Sequence, residues 1–440
     1  MKKKVLVIGS GGREQAFAWK MSQSPLVDEV FLYPDPRTPF SSPKIRGIPG
    51  NLDDFKDQLK VAKKLRPDLI LIGPEGPLEK GLSDSFQKEG LNVLGPDQKA
   101  ARLESSKSFS KDLMSEFGIL TAPYGVYHSY KEAKEGLKEW NEGVAIKADQ
   151  LAGGKGVFLC YGLEESEKML FKLMKDPNFS VKDETVVIEK ILKGTEISAF
   201  ALCDGEEFMT LGFARDYKRL KEGDKGPNTG GMGGLSFHSW PEKSLKENIE
   251  ENVFKKTLQA MKKKGLPFKG FLFAGLMIGP DGEVNVLEFN VRMGDPETQI
   301  LFPLINEDLY PLFEAAAKGE LKAFKQKRPL EERSRVRLKK KSSVHVVLAS
   351  KGYPVLDKAN PRLLDKEVDY PQKLREDQEF IFFSGAKRDD GKTALYNKGG
   401  RVLGVTCVEE NLKKARKGAY DLVHKISFEG AQWRSDIALN

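Results

Sequence analysis

Val286-Leu287-Glu288-Phe289-Asn290-Val291-Arg292-Met293-Gly294-Asp295-Pro296-Glu297 opens as a strand and ends in a tight polar corner. Side chains alternate along a strand, so the carboxylate of Glu288, the amide oxygen of Asn290 and the guanidinium of Arg292 project from one face. Magnesium takes hard oxygen ligands and shares them with substrate phosphates, while a planar arginine fork suits charge on a transferring phosphoryl group. The face therefore reads as a cradle for metal-bound triphosphate, with Glu288 and Asn290 as metal ligands. An amphipathic strand with a wet polar face is the plainer alternative, but Gly294-Asp295-Pro296-Glu297 punctuates the strand like a shaped site.

Upstream, from about Glu104 to Gly319, strands, hairpins and glycine-rich loops mix. Lys107 stands in Glu104-Ser105-Ser106-Lys107 and Lys147 in the apolar run Val144-Ala145-Ile146-Lys147. Next comes Leu151-Ala152-Gly153-Gly154-Lys155-Gly156-Val157, a flexible turn that can fold over phosphates with main-chain donors from Gly153, Gly154 and Gly156 and a point charge from Lys155. It lacks the glycine spacing and the hydroxyl residue of a Walker loop. Beyond Val186-Val187-Ile188-Glu189, backbone groups of the connector Lys190-Ile191-Leu192 can bond an adenine edge, and Glu196 can hold ribose hydroxyls. The run Asp224 to Gly234 is the longest glycine-rich loop. Ordering it costs backbone entropy, which predicts close approach to a ligand.

Residues 1 to 103 alternate short apolar strands (Lys4–Ile8, Val30–Tyr33, Asp68–Ile72, Leu91–Leu94) with helical segments such as Leu52–Leu65, the pattern of a doubly wound parallel sheet. After the first strand, Gly9-Ser10-Gly11-Gly12-Arg13-Glu14 leads into a helix, so that Gly11, Gly12 and Arg13 can present amides and a guanidinium to an anion. A third glycine and an acidic residue closing the second strand are both missing, which disfavours NAD. At the other end, strands at Ser343–Leu348, Glu379–Phe383 and Arg401–Thr406 and a helix over 411–424 form a third unit.

At 440 residues the chain is too long for one core, and 39% hydrophobic with 31% charged residues suits a globular α/β protein. Neither a membrane span nor a secretory signal is visible, and a cytoplasmic protein is expected. Cys160, Cys203 and Cys407 are scattered, as are His128, His238, His345 and His424, so neither a disulfide framework nor a zinc site is expected, and no histidine is given a catalytic role. The net charge of +8 and the basic run from Lys322 to Lys341 could serve nucleic acid, but no aromatic side chain interleaves the charges from Lys325 to Lys341. A solvated linker or helix face is the better reading, with no nucleic-acid and no membrane partner.

The order of these motifs resembles the ATP-grasp superfamily. Gly9-Ser10-Gly11-Gly12-Arg13-Glu14, Gly73-Pro74-Glu75, Gly226-Pro227-Asn228-Thr229-Gly230-Gly231-Met232-Gly233 and Glu288-Phe289-Asn290-x-Arg292-x-Gly294-Asp295-Pro296-Glu297 are similar to the glycinamide ribonucleotide synthetases (phosphoribosylamine-glycine ligases) within it. Gly352-Tyr353-Pro354 and Gly399–Thr406 extend the likeness to the last unit. The resemblance implies a multidomain α/β and α+β protein: a doubly wound N-terminal domain (1–103), an ATP-grasp domain of two lobes (104–328, mobile lobe about 122–192) and a small mixed α/β C-terminal domain (329–440). It implies a monomer or weak homodimer that consumes ATP, glycine and 5-phosphoribosylamine with Mg2+ or Mn2+. Lys107, Lys147 and the Lys155 loop would meet nucleotide phosphates, and Glu189, Lys190, Leu192 and Glu196 would meet adenosine. Gly11, Gly12, Arg13 and Glu75 would face the phosphoribosyl substrate. Arg292 would steady the γ-phosphate, with Asp216, Lys218, Asn228 and Asp295 near the acyl-transfer centre.

The chain departs from that family's pattern at Gln15, at Pro34-Asp35-Pro36-Arg37-Thr38, at Lys190, at Tyr217 and at Phe383-Ser384-Gly385-Ala386. These departures leave open a carboxylate–amine ligase with another acceptor, or an ATP-binding protein without catalysis.

Overall fold

The computed structural model describes residues 2–140, 142–153, 156–179, 181–354 and 361–439. Its N-terminal sheet is parallel, in the order Ile45–Gly47, Val27–Tyr33, Lys3–Ile8, Leu69–Ile72, Val93–Leu94. Val5 to Ile8 are fully buried, as befits a central strand covered on both faces. The edge strand Ile45–Gly47 was not anticipated, since three residues are too few to carry a periodic signal. The helix Gly12–Ser22 drives Phe17 into rings from beyond the first unit: Phe271, Phe302 and Phe313 at centroid distances of 5.2, 5.1 and 6.3 Å. The first two units thus share one core.

A small antiparallel sheet (Tyr124–Tyr127, Val186–Lys190, Val144–Ala148, Val157–Cys160) carries its own apolar cluster, in which Ile146 and Ile188 meet Leu170 and Leu173 of the helix Leu163–Met174. The larger sheet runs Val284–Asn290, Lys269–Ile278, Thr195–Asp204, Phe208–Asp216, Gly233–Phe237, Ser342–Ser350, Arg401–Glu409, Glu379–Phe383.

The expected third unit is present with an apolar cluster of its own, and its strands also extend the central sheet through Gly233–Phe237, which pairs with Phe208–Asp216 on one side and Ser342–Ser350 on the other. The glycines explain the join: a Cβ on Gly233 would lie 2.4 Å from the His345 carbonyl oxygen, and one on Gly234 would lie 2.3 Å from that of Arg215. Part of the glycine-rich run therefore serves backbone approach between strands, where a ligand was expected.

The basic run is less solvated than its composition suggested. Arg328 pairs with Glu307 at 2.5 Å, Arg335 with Glu250 at 2.6 Å and Lys325 with Glu207 at 2.6 Å, pinning the segment to the central unit. Among the described residues no helix is long and apolar enough to cross a membrane, and all three cysteines are free and buried.

His345 is buried in the extended sheet. Its Nδ1 meets Thr406 Oγ1 at 2.8 Å, and that hydroxyl donates to the Gln299 carbonyl, so Nδ1 carries a proton. Burial pushes its pKa down to about 3, with Asp295 raising and Arg401 lowering it further out. The unfolded chain takes up this proton below 6.5, while the native state resists until about 3. Stability is thus present above the ordinary histidine range and is lost as pH falls through that window, by up to about 1.4 kcal/mol per pH unit. In urea titrations at pH 7 and pH 5, His345→Gln is expected to lose on the order of 1 to 2 kcal/mol less than the parent. Equal losses would show that His345 titrates normally.

Candidate active site

A cavity of about 650 Å3 is lined by both central sheets, by the N-terminal unit through Arg13 and Glu75, and by the C-terminal strands through Arg401. The strand that opened the sequence reading forms its floor. Phe289 and Val291 join the core, while Glu288, Asn290 and Arg292 line the cavity, whose wall Leu287 and Phe289 also reach. The strand itself stops at Asn290, so Arg292 stands on the turn that follows; the alternation nonetheless survives. A register shift beside Glu288 leaves Leu287 outside the pairing, and its carbonyl accepts from Lys147 Nζ at 3.0 Å.

Glu104 organises this floor and was not singled out in the sequence. Its carboxylate accepts from Asn290 Nδ2 at 2.8 Å, from the Val291 amide at 2.7 Å and from Arg292 Nη2 at 3.1 Å. With the amide NH2 of Asn290 held there, its Oδ1 is left for the cavity. Burial pushes Glu104 up despite Arg292. Glu75 takes Arg292 Nε at 3.2 Å; burial opposes its ionisation, but Arg292 and then Arg13 hold it down at about 2. Burial also works against Glu288, and Lys218, Lys147, Lys107 and Arg292 together outweigh it and keep its carboxyl below the usual range. The donor set is an ionised carboxylate beside an oriented amide oxygen, which fits a hard divalent cation.

Lys107 begins the helix Lys107–Glu116, whose N-terminus is tied down by the Ser106 cap and by Asp149, which accepts from the Ser108 amide at 2.6 Å. Its ammonium is held at the Gln150 carbonyl, 3.3 Å away, and burial followed by the charge of Lys147 lowers its pKa. Lys147 is mid-strand and pairs with Glu189. The second oxygen of Glu189 meets Lys111 Nζ at 2.5 Å, and Lys111 also donates to Thr121 Oγ1 at 2.6 Å. Lys111 was missed: a lone lysine on a helix signals a wet face, yet this one is 2% exposed. The Glu189 carboxylate thus lies between two ammonium groups, while Glu189, Ile191 and Leu192 all line the wall that an adenine edge would meet. Lys190 turns outward toward Glu142 at 3.4 Å. Gly153 and Gly156 line the cavity, while Gly154 and Lys155 lie outside the described residues.

At the far end, Lys218 pairs with Glu196, joining two residues that had been expected to serve different parts of the reaction. Burial works against the charge on Lys218, but Glu196, Glu288 and Asp216 raise its pKa well beyond the usual range. Asn228 lies on the hairpin opposite Arg219 and reaches the same wall. Arg401, missed in the sequence, donates to the carbonyls of Gly230 and Asp295 and pairs with the Asp295 carboxylate at 2.9 Å. Gln299 Nε2 donates to the other Asp295 oxygen at 2.7 Å. Burial opposes ionisation of Asp295, but Arg401 and Arg13 bring its pKa below normal.

At the glycine-rich N-terminal loop the chain supplies a carboxylate of its own. The Gly11 amide donates to Glu14 Oε2 at 2.8 Å, so the chain's own carboxylate occupies the anion position, with Arg13 Nε on its other oxygen at 2.6 Å. Gly9 and Gly73 make room for it: a Cβ at either would fall within 2.5 and 2.0 Å of the Glu14 side chain. Arg13 and Glu75 line the cavity; Gly11 and Gly12 do not, and a Cβ on Gly12 would strike Gln299 and Ser384 at 2.8 and 2.9 Å.

Three departures from the family pattern meet in one place. Gln15 Nε2 donates to Thr38 Oγ1 at 3.0 Å, and its Oε1 accepts from the Phe383 amide at 2.9 Å, joining the altered loop to the C-terminal strands. The ring of Tyr217 lies between the Arg215 and Arg434 guanidiniums at 5.3 and 4.9 Å, and its hydroxyl accepts from the Ala438 amide at 3.1 Å. Gln15 is thus absorbed by packing contacts away from the cavity, whereas Tyr217, held by its two cationic neighbours, also lines the cavity.

Three family models match the chain: the N domain of phosphoribosylglycinamide synthetase over residues 3–104, its ATP-grasp (A) domain over 105–298 and its C domain over 343–440. The phosphoribosylamine–glycine ligase of Caldanaerobacter subterraneus subsp. tengcongensis is 38% identical over 435 residues, 99% of either chain. The trifunctional purine biosynthetic protein adenosine-3 of Gallus gallus is 39% identical over 438 residues, 99% of this chain and 42% of that protein. Among solved structures, phosphoribosylamine–glycine ligase from Thermotoga maritima superposes with a TM-score of 0.80 at 35% identity, over 99% of this chain and 100% of the other. A biotin carboxylase from Campylobacter jejuni, at TM-score 0.72 and 15% identity over 100% and 94%, shares the fold.

Proposed function

The chain belongs to the phosphoribosylglycinamide synthetase family, and from that we propose that it is an ATP-dependent, ADP-forming carbon–nitrogen ligase that joins glycine to 5-phosphoribosylamine in purine biosynthesis. The observation that carries the reading is the cavity floor: Glu288 and Asn290 offer oxygens side by side, ringed by Lys107, Lys147, Lys218 and Arg292.

A carboxylate resists an amine because oxide is a poor leaving group. Phosphorylation removes that obstacle. A glycine oxygen attacks the γ-phosphorus and ADP leaves; the amine then attacks the acyl carbon, loses a proton, and phosphate departs. The protein's share is positioning and charge neutralisation. Lys107 and Lys147 suit the nucleotide phosphates, the wall at Ile191 and Leu192 an adenine, and Arg292, braced by Glu75 and Glu104, the transferring phosphoryl. Glu288 and Asn290 would hold a divalent cation, which would supply charge compensation to the triphosphate. Arg13 and Glu75 place the phosphoribosyl substrate at the mouth shared with the N-terminal unit. The packing role of Gln15 supports an unaltered acceptor, and the intact charged floor argues against a silent ATP-binding protein.

Purified protein is expected to release phosphate only when ATP, magnesium, glycine and freshly generated phosphoribosylamine are all present. Omitting either organic substrate should lower the rate by about two orders of magnitude or more, since the acyl phosphate neither forms nor turns over. Release that ignores glycine overturns the assignment.

A further inference from the structure

We propose that Lys111 is a positioning residue that acts through Lys147: it supplies the counter-charge to Glu189 that leaves Lys147 free to meet a nucleotide phosphate. The inference rests on the reading of the cavity as an ATP site and adds which buried charge keeps that site positive. Glu189, on the strand Val186–Lys190 of the small sheet, pairs with Lys147 of the neighbouring strand and with Lys111 Nζ at 2.5 Å. None of the three side chains is more than 6% exposed. Both lysines are also tied to the floor strand, at successive carbonyls. Lys147 donates to that of Leu287 at 3.0 Å; Lys111 donates to Thr121 Oγ1 at 2.6 Å, and that hydroxyl donates to the carbonyl of Val286 at 2.6 Å.

An ammonium group has three donors. Lys147 spends one on Glu189 and one on Leu287, which leaves one for a phosphate oxygen. Whether that donor brings net charge with it is decided by Lys111. Two ammonium groups against one carboxylate leave a surplus positive charge; without Lys111 the Glu189–Lys147 pair would be neutral, and the two opposite fields would largely cancel at the phosphates. Burial makes the difference large, because water does not screen the group. Burial also lowers the proton affinity of Lys111, and Glu189 works against that loss. Lys111 shares the helix Lys107–Glu116 with Lys107, but its ammonium is lodged elsewhere, between Glu189, Thr121 and the Tyr124 ring, whose centre is 5.8 Å away. Its influence on a nucleotide therefore runs through Glu189 and Lys147.

Isothermal titration with ATP in EDTA, where no metal contributes, reads the effect directly. Lys111→Met is expected to weaken ATP binding by about tenfold or more, as the loss of one nearby unit charge implies. The double variant Lys111→Met/Glu189→Gln removes one charge of each sign, restores the surplus, and should bind ATP within about threefold of the parent. Glu189→Gln alone keeps both ammonium groups and should bind no more than about threefold more weakly than the parent. In the ligase assay the KM for glycine should stay within about threefold in all three variants, which a distorted cavity would not allow. A double variant as weak as Lys111→Met makes Lys111 a mechanical clamp and overturns the proposal. So does a Lys111→Met protein that binds ATP as the parent does. Should Lys111→Met fail to fold, Glu189→Gln decides: a loss of about tenfold overturns the proposal, and undiminished binding upholds it. A parent that binds no ATP sinks the nucleotide reading as well, whereas the other failures leave the ligase standing.

Discussion

Glu288→Gln is expected to lower kcat by about 10³-fold or more, the scale of removing one preorganised electrostatic group, with circular dichroism unchanged. Glutamine keeps the shape and loses the charge. In the native protein Glu288 balances four nearby cations, Lys218, Lys147, Lys107 and Arg292, which outweigh the burial that would otherwise protonate it. Without that carboxylate a divalent cation would meet one amide oxygen amid like charge. The triphosphate would still meet the lysines, so nucleotide binding in the absence of metal should persist while magnesium-dependent phosphate release fails. Steady-state kinetics at several magnesium concentrations, with nucleotide titration in EDTA, read the two effects separately. Turnover within about threefold of the parent removes the metal assignment and with it the role given to Asn290.

Phe17→Ala should destabilise the protein by about 3 to 5 kcal/mol, the usual cost of truncating a buried phenylalanine. The ring touches three others, Phe271, Phe302 and Phe313, which come from the central unit and the helices that follow it. Each such aromatic pair is worth about 0.5 to 1.5 kcal/mol beyond area, and the cavity left behind opens at the seam between the first two units. The helix bearing Phe17 also carries Arg13 at its start, whose Nη1 donates to the Met293 carbonyl at 3.2 Å. Loosening that helix should therefore raise the KM for phosphoribosylamine more than that for ATP. Urea unfolding followed by tryptophan fluorescence measures the loss. A change below about 1 kcal/mol would mean that the two units do not share a core.

What could be read without coordinates was local and periodic. Alternation placed Glu288, Asn290 and Arg292 together, and that survives a register shift and the end of the strand, because the core claims Phe289 and Val291 on the opposite side. Buried apolar runs announced the parallel sheet. Cofactor-handling residues on loops kept their motif order, so the resemblance carried to the site. Glu104, Lys111 and Arg401 were not read as site residues. Arg401 stands inside a family motif, yet its role, like that of Glu104, comes from partners far along the chain: 186 residues for Glu104 and Asn290, 106 for Arg401 and Asp295.

The glycines show the division most sharply. Sequence alone determined that the backbone must come close to something at Gly9, Gly11 and the run from Gly226 to Gly234, because only glycine tolerates such approach. What it approaches was decided by the tertiary structure: the Glu14 carboxylate beside Gly9 and Gly11, and the His345 and Arg215 carbonyls beside Gly233 and Gly234. Composition records that a side chain is missing, whereas the group filling the space belongs to the packing of distant segments, and a long-range contact leaves no mark on local pattern. The sequence thus determined the chemistry of the phosphate floor and the class of each unit; tertiary structure alone made the C-terminal strands part of the central sheet and delivered Arg401 to the cavity wall.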